Sequence, residues 1–450
     1  MKKYFLAVAS FFIYSHISLG QVYPGQMDST FVPVRSHHYD PELTFDFCVN
    51  EPAWSNQAGI HSAFGSTDRL YFRKEVPVNH DNDLSSSYST TVWRGERANA
   101  QILVWSSEAL EQVRVSTQDL RSAEGNIIPK DRITFELVRY VLSNYPYAEK
   151  KAICGESPYK SGFLMPDRFE TLDRFDLPSQ TTRPVWMMVD VPRGTAPGTY
   201  KGKVEVRAKG KAPQLLNLEI VVQNQLLPYP KDWKYRLDLW QNPWAVAWYN
   251  HVEPWSPEHK MLLKQHLKHY ADAGGTYITT YGVHSPWSDN SYMIEGGMIE
   301  WIKKADGTWA FDYKIFDEYV ELAMECGIDE AITLYPPIPW VFRHRYKDEA
   351  TGDYSYINWA PSSEEFKKMW NIFLTDFKFH LEAKSWLDIT YIGINENPME
   401  ETLAAINVVR NHDKCWKITY AGNWHKELDG LLDDYSFLYG EEPTIAEQKV

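Results

Sequence analysis

The chain has 450 residues, 44% of them hydrophobic and 24% charged, with a formal net charge of −14. That length accommodates two or three domains with ample cores. The acidic balance excludes a phosphate-tracking nucleic-acid binder and a polybasic membrane binder, since each would work against its own field, and favours an uncharged or cationic partner.

The first twenty residues, MKKYFLAVASFFIYSHISLG, place two lysines before a short apolar run and end in small residues ahead of Gln21. This is the layout of a secretory leader and is too short and too interrupted to span a bilayer. A mature protein starting near Gln21, exported to the periplasm or the medium and without membrane insertion, is expected. The four cysteines, Cys48, Cys154, Cys326 and Cys415, lie far apart and form no CxxC or Cys/His spacing, so they are read as buried free thiols rather than as a zinc site or disulfide framework.

Residues 21–226 are expected to form an N-terminal antiparallel β-sandwich. From Thr44 to Leu226 short runs alternate apolar and polar residues, among them AQILVWSS, PVWMMVDVP, GTYKGKVEVRA and LLNLEIVVQNQ, separated by Gly, Pro, Asn and Asp clusters. WRGERANAQ, with Arg94, Glu96 and Arg97, reads as a structural ion-pair and hydrogen-bond cluster within these strands. Gln225–Trp233, QLLPYPKDW, is a proline-marked linker, and the pattern then changes.

Residues 227–450 alternate strand-like runs with amphipathic helical text, the pattern of βα units on a parallel sheet. RLDLWQNP leads to a helix capped at Ser256, with Pro257 at its first position and Gly274 and Gly275 at its end. TYITTYGV precedes YKIFDEYVELAMECG, EAITLYPPIPW precedes the helix after Ser363, and DITYIGINENP precedes MEETLAAINVVRNH. KITYAGN with HKELDGLLDD makes a fifth unit, and YSFLYGEEP opens a sixth. A (β/α)8 TIM barrel needs eight such units in about 250 residues. The roughly 215 residues after Trp233 carry five or six, so a C-terminally incomplete barrel is expected.

The chemistry concentrates in YIGINENPME, where a strand-like run ends on Asn395, Glu396 and Asn397. The carboxyl end of a barrel strand is where barrel enzymes keep their catalytic groups. A glycosidase needs one carboxylic acid that keeps its proton near neutrality to protonate the leaving oxygen, and Glu396 is placed for that. Asn395 can neither attack the anomeric carbon nor activate water, but its amide oxygen can accept from a 2-acetamido N–H and so orient the acetamido carbonyl. An Asn-Glu dipeptide elsewhere would merely end a strand and cap a helix. Position adds Gln241 and Asn242 after the first strand, Trp287 after the second, Tyr335 and Trp340 after the third, and Asn423 and His425 after the fifth. Trp287 or Trp340 would floor a pyranose, as suits the 18 Trp in this chain. Tyr335 would hydrogen-bond the acetamido carbonyl. His251, His259, His266 and His269 cluster without HExxH or a ligand carboxylate and are read as surface or capping residues; no metal and no cofactor is expected. GxGxxG, GxxxxGK[ST] and GxSxG do not occur.

WRGERANAQILVWS, PDRFETLDRFDLPSQTTRPVWMMVDVP, PGTYKGKVEV, LDLWQNPWAVAWYNHVEPWSPEHK, DGTWAFDYKIFDEYVE and YIGINENPMEE together resemble glycoside hydrolase family 123 from about Trp93 to Asn423. Members are exo-acting retaining β-N-acetylgalactosaminidases with an N-terminal β-sandwich and a (β/α) barrel. They use the substrate's own 2-acetamido group and an adjacent Asp-Glu pair. The resemblance implies glycans ending in N-acetylgalactosamine as substrates, Glu396 as general acid/base, and Asn395 at the position of the orienting Asp, where it can hydrogen-bond but cannot stabilise positive charge. Two other readings stay open: a barrel-clan retaining β-glycosidase with Asn-Glu on strand four, and a carbohydrate-binding protein that has lost turnover.

Overall fold

The computed structural model describes residues 51–77, 84–143, 163–287 and 296–437. The expected leader over residues 1–20, Cys48 and Cys154 lie outside them. The chain divides into two compact units, Met1–Leu227 and Pro228–Val450.

The first unit is built of strands β1 His61–Gly65, β2 Ser87–Arg94, β3 Arg97–Ser106, β4 Leu110–Thr117, β5 Leu120–Arg121, β6 Ile127–Ile128, β7 Ile133–Ser143, β8 Phe163–Thr171, β9 Phe175–Leu177, β10 Thr181–Asp190, β11 Gly198–Arg207 and β12 Gln214–Leu226. One sheet runs β1-β3-β10-β7-β8 and the other β2-β12-β11-β4-β9. Alternation explains the core. The inward residues Ile102, Val104, Val185 and Met187 of the first sheet and Val113, Val204, Val206 and Ile220 of the second are all buried in one cluster. The pairing departs from an all-antiparallel sandwich at one place, because β2 runs parallel to β12, Ser87 opposite Asn217 through Val92 opposite Val222. Gly95, at φ +84°, makes the sharp connection that carries the chain from β2 in one sheet to β3 in the other. Around it Glu96 accepts the Trp93 amide at 2.7 Å, Arg97 pairs with Asp190 at 2.6 Å and Arg94 donates to the Asn224 carbonyl. This cluster is structural, as the sequence indicates.

In the second unit, β13 Tyr277–Tyr281, β16 Ala331–Tyr335, β19 Thr390–Ile394, β20 Lys417–Ala421 and β21 Asp434–Ser436 form a parallel sheet in that order. Every residue of β13 and β16 is buried, the mark of a parallel sheet covered on both faces. Helices α3 Pro257–Asp272, α4 Lys314–Glu325, α5 Glu364–Lys384 and α6 Met399–His412 alternate with these strands. Ser256 and Ser363 cap α3 and α5, accepting from the amides of His259 and Phe366. Two shorter helices precede them, α1 Glu51–Trp54 in the first unit and α2 Pro243–Asn250 in the second. The core is aromatic: Phe373 stacks on Phe377 at 5.3 Å and Phe377 on Trp416 at 6.1 Å. Among the described residues no helix is long and apolar enough to cross a membrane.

Three local expectations are corrected. RLDLW makes a single parallel bridge, Leu237 to Gly275, rather than a full strand. Side chains take the place of the ladder there: the Tyr270 hydroxyl donates to the Leu237 carbonyl at 2.7 Å and Gln241 accepts the Thr279 amide at 2.8 Å. HKELDGLLDD holds only a 3₁₀ turn, Lys426–Leu428, since Gly430 at φ +74° ends any helix. Cys326 is a buried free thiol, but Cys415 is exposed. An unanticipated four-stranded sheet, β15-β14-β17-β18, combines β14 Glu300–Lys303 and β15 Trp309–Asp312 with β17 Arg343–Asp348 and β18 Tyr354–Asn358, inserted after β13 and β16.

Candidate active site

Trp287 follows β13, Trp340 follows β16, Asn395 and Glu396 follow β19, and Ala421 and Gly422 close β20. Ligands of parallel α/β sheets bind outside these carboxyl ends. Here those residues and Trp240 line one cavity of about 370 Å³.

The indole rings define its shape. Trp240 stacks on Trp287 with centroids 5.0 Å apart, and both rest against Tyr335, at 4.8 and 5.7 Å. Trp287 is buried, whereas Trp240 and Trp340 are 44% and 45% exposed and free to meet a ligand. Tyr335 lies beneath the indoles and is only 1% exposed. Burial, and then the negative charge of Asp238, push its hydroxyl well above the usual range. It is a support for the tryptophans and does not line the cavity.

Asn395 is 2% exposed and is surrounded by N–H donors. With its Oδ1 turned toward the indoles it accepts from Trp340 Nε1 at 3.0 Å and Trp287 Nε1 at 3.2 Å, and its Nδ2 faces the Ile338 carbonyl at 3.1 Å. The other end of the amide lies 2.9 Å from Asn397 Nδ2, which itself donates to Ile338 O at 3.1 Å. An amide therefore satisfies the indoles only by setting its own N–H₂ against that of Asn397. Turning Asn397 as well moves the conflict to its oxygen and the Ile338 carbonyl. A side chain that only accepts would satisfy all three donors at once, with its second oxygen set 3.1 Å from the Ile338 carbonyl.

Glu396 is exposed at the cavity mouth, and its Oε1 accepts the Asn423 amide at 3.0 Å. Its charge, after burial, is a cause of the rise of the Tyr420 hydroxyl to about 12. Gly422 makes room for it, because a Cβ there would overlap Glu396 Cγ and lie 2.7 Å from the Tyr420 hydroxyl.

The remaining expected residues are arranged differently. The side chain of Gln241 is spent on backbone, with Nε2 on the Leu239 carbonyl and Oε1 on the Thr279 amide. Asn242 caps α2 by accepting from Ala245 N at 3.2 Å. Asn423 serves the site through its backbone, and His425 donates its amide to the Tyr435 hydroxyl at 2.7 Å. None of these four lines the cavity. Trp240, Ala421 and Gly422 do, and sequence reasoning passed over them. His259 is buried, its Nδ1 accepting from Trp255 N at 2.8 Å and its Nε2 donating to Pro243 O at 2.9 Å, so it joins α2 to α3.

Below the indoles, Asp238 Oδ1 is buried without a hydrogen-bond partner among the described residues. Burial, and secondarily the charge of Asp434, raise its carboxyl to about 6. Because the folded value lies above the unfolded one, the folded state holds this proton more tightly. Its contribution is complete below about pH 4 and is lost as pH rises through about 6. Asp238→Asn is expected to stabilise the protein at pH 7.5 by roughly 2 kcal/mol and to leave it nearly unchanged at pH 4. Thermal melts across that range check this, and equal shifts at both ends would contradict it.

Two family models match the sequence: the glycoside hydrolase 123 catalytic domain over residues 240–450 and the glycoside hydrolase 123 N-terminal domain over residues 64–208. The chain belongs to glycoside hydrolase family 123. Among solved structures it is similar to a family 123 glycoside hydrolase from Clostridium perfringens, described for glycolipid glycan hydrolysis, with 26% identity and a TM-score of 0.74 over 84% of this chain and 67% of that one. A family 39 glycoside hydrolase from Bacteroides cellulosilyticus WH2 matches at 13% identity and a TM-score of 0.22, over 68% of this chain and 48% of its own. The PapD-like domain of human CEP192 matches at 12% and 0.18, over 41% of this chain and 99% of its own. No curated protein matches the chain.

Proposed function

We propose that this family 123 glycosidase removes terminal β-linked N-acetylgalactosamine by substrate-assisted retention. The observation that carries the reading is the convergence of Trp240, Trp287 and Trp340 on the adjacent Asn395 and Glu396 in one cavity of about 370 Å³. That volume suits a single sugar unit, at the small end of ligand pockets, and indole faces suit the apolar faces of a pyranose. In the first step the acetamido oxygen attacks C1 while Glu396 gives its proton to the departing glycosidic oxygen, leaving a cyclic oxazolinium ion whose nitrogen keeps its proton. In the second, water attacks C1, Glu396 takes its proton, and the ring reopens with configuration retained. Asn395 lies beside the acetamido position. Its oxygen is already held by two indoles, so we infer that it orients the acetamido group less well than a carboxylate would. The leader-like first twenty residues support action outside the cytoplasm, and the C. perfringens relative supports glycolipid glycans among the substrates.

The test is aryl release from 4-nitrophenyl N-acetyl-β-galactosaminide and from 4-nitrophenyl β-galactoside. Release from the first alone is the expected result. Release from the galactoside would instead identify a clan-type enzyme with its own nucleophile. Binding of N-acetylgalactosamine with no release from either would mean a carbohydrate-binding protein, the reading that the saturated Asn395 favours second.

A further inference from the structure

The four-stranded insertion presents an outer face that contrasts with the acidic chain around it. Strand alternation buries His344 and Tyr346 and turns Arg343, Arg345 and Lys347 of β17 outward. Across the antiparallel pairing Arg343 faces Asn358, Arg345 faces Tyr356 and Lys347 faces Tyr354. The guanidinium of Arg343 lies 4.8 Å over the Tyr356 ring and that of Arg345 lies 4.2 Å over Tyr354, so both are held in place by aromatic faces. Among the described residues Arg343 makes no salt bridge. Arg345 reaches one carboxylate, Glu300, at 4.0 Å, while its buried Nε has no hydrogen-bond partner. Glu300 is on β14, the strand next to β17, and also accepts from the Tyr354 hydroxyl at 3.0 Å, while Asp312 is one strand farther on β15.

This cationic group begins three residues after Trp340, which lines the sugar cavity. The loop that carries Trp287 closes the gap, with Trp340 N donating to Pro286 O at 3.0 Å. His284 in that loop is lowered to about 4, by burial first and then by the positive charges of Arg345 and Arg343. Guanidinium groups held on tyrosine faces, that of Arg343 without an ion pair among the described residues and three residues along the chain from the cavity-lining Trp340, fit an anionic group on a sugar. A polyanion such as nucleic acid would be repelled by the chain's net charge of −14.

We propose that Arg343 and Arg345, with Asn358 and Tyr356, form an aglycone subsite for an acidic sugar unit bearing a sulfate ester or a carboxylate. The inference rests on the glycosidase reading for which side of the substrate lies there, though the binding itself does not need turnover. This local field departs from the preference for neutral or cationic partners that the overall charge implies, and a short-range pair of guanidiniums is sufficient to do so within a Debye length of about 8 Å.

The experiment titrates methyl β-galactoside 6-sulfate, methyl β-glucuronide and neutral methyl β-galactoside into the full chain, read by ligand-observed NMR. Wild type is compared with Arg343→Gln and with Asn358→Asp, which sets a carboxylate directly across from Arg343. The expected result is binding of one or both anions at least about ten-fold tighter than the neutral sugar, lost in both variants and weakened by salt. Preference for one anion identifies the source. Equal binding of all three sugars, or anion binding unaltered in both folded variants, would overturn the subsite. In parallel, the ratio of kcat/KM for N-acetylgalactosaminides of acidic and neutral sugars should fall in Arg343→Gln through KM. Anion binding without cleavage of any N-acetylgalactosaminide would sink the glycosidase reading and leave the subsite standing.

Discussion

Replacing Asn395 by aspartate is expected to raise kcat/KM on 4-nitrophenyl N-acetyl-β-galactosaminide by about 10²-fold or more. The argument is a count of acceptor sites. An amide oxygen offers two lone pairs, and the indoles of Trp340 and Trp287 take both, at 3.0 and 3.2 Å. None remains for an acetamido N–H. A carboxylate offers about four sites; the indoles and Asn397 Nδ2 would occupy three, leaving one for the substrate. The same carboxylate would also oppose the positive charge that develops on the oxazolinium nitrogen, an interaction that strengthens only as the transition state is approached. Three N–H donors would in addition favour its ionised form, opposed in part by the Ile338 carbonyl 3.1 Å from its second oxygen. Steady-state kinetics of the two proteins, with melting curves to show that both are folded, decide the matter. Equal kcat/KM would mean that an indole yields its hydrogen bond to substrate and that Asn395 suffices.

Much of this architecture is written in local patterns. The βα alternation after Trp233, the Ser256 and Ser363 caps and the strand ending on Asn395-Glu396 all depend on short-range periodicity, which a sequence displays directly. The site lining was harder to read because parity matters as much as position. Counting along LDLWQNP to the first strand's end points to Gln241 and Asn242, whereas Trp240 faces the cavity. Gln241 takes the place of missing ladder bonds instead. A shift of one residue exchanges the two faces of an extended segment.

Other features become visible only through contacts distant in sequence. Gly422 has no motif; its necessity comes from the nearness of Glu396, twenty-six residues earlier. The donor shell around Asn395 is assembled from two separate loops, 53 residues apart at Trp287 and Trp340. The β17–β18 hairpin was passed over in the sequence, although RHRYKD and YSYIN alternate on either side of a Thr-Gly-Asp turn. Its cationic face follows from that alternation, yet its importance depends on the Trp340–Pro286 contact, which only the fold supplies.

Glu396→Gln is expected to lower kcat/KM by about 10² to 10⁴-fold on a substrate whose leaving group is a poor one, such as another sugar. Glutamine keeps the shape, and its Oε1 can still accept from Asn423 N, so the space that Gly422 leaves stays filled in the same way. What it lacks is a proton to give. The loss should therefore shrink with a 2,4-dinitrophenyl leaving group, which departs as a stable anion and needs no proton from the enzyme. With that substrate the first step outruns the second, because the glutamine cannot take a proton from water either. The oxazolinium intermediate should accumulate, and azide, a nucleophile that needs no base, should restore the rate. Measuring the series in the Asn395→Asp background keeps the rates well above the detection limit. An equal loss for both leaving groups, without azide rescue, would show that residue 396 positions substrate and that the proton comes from another group.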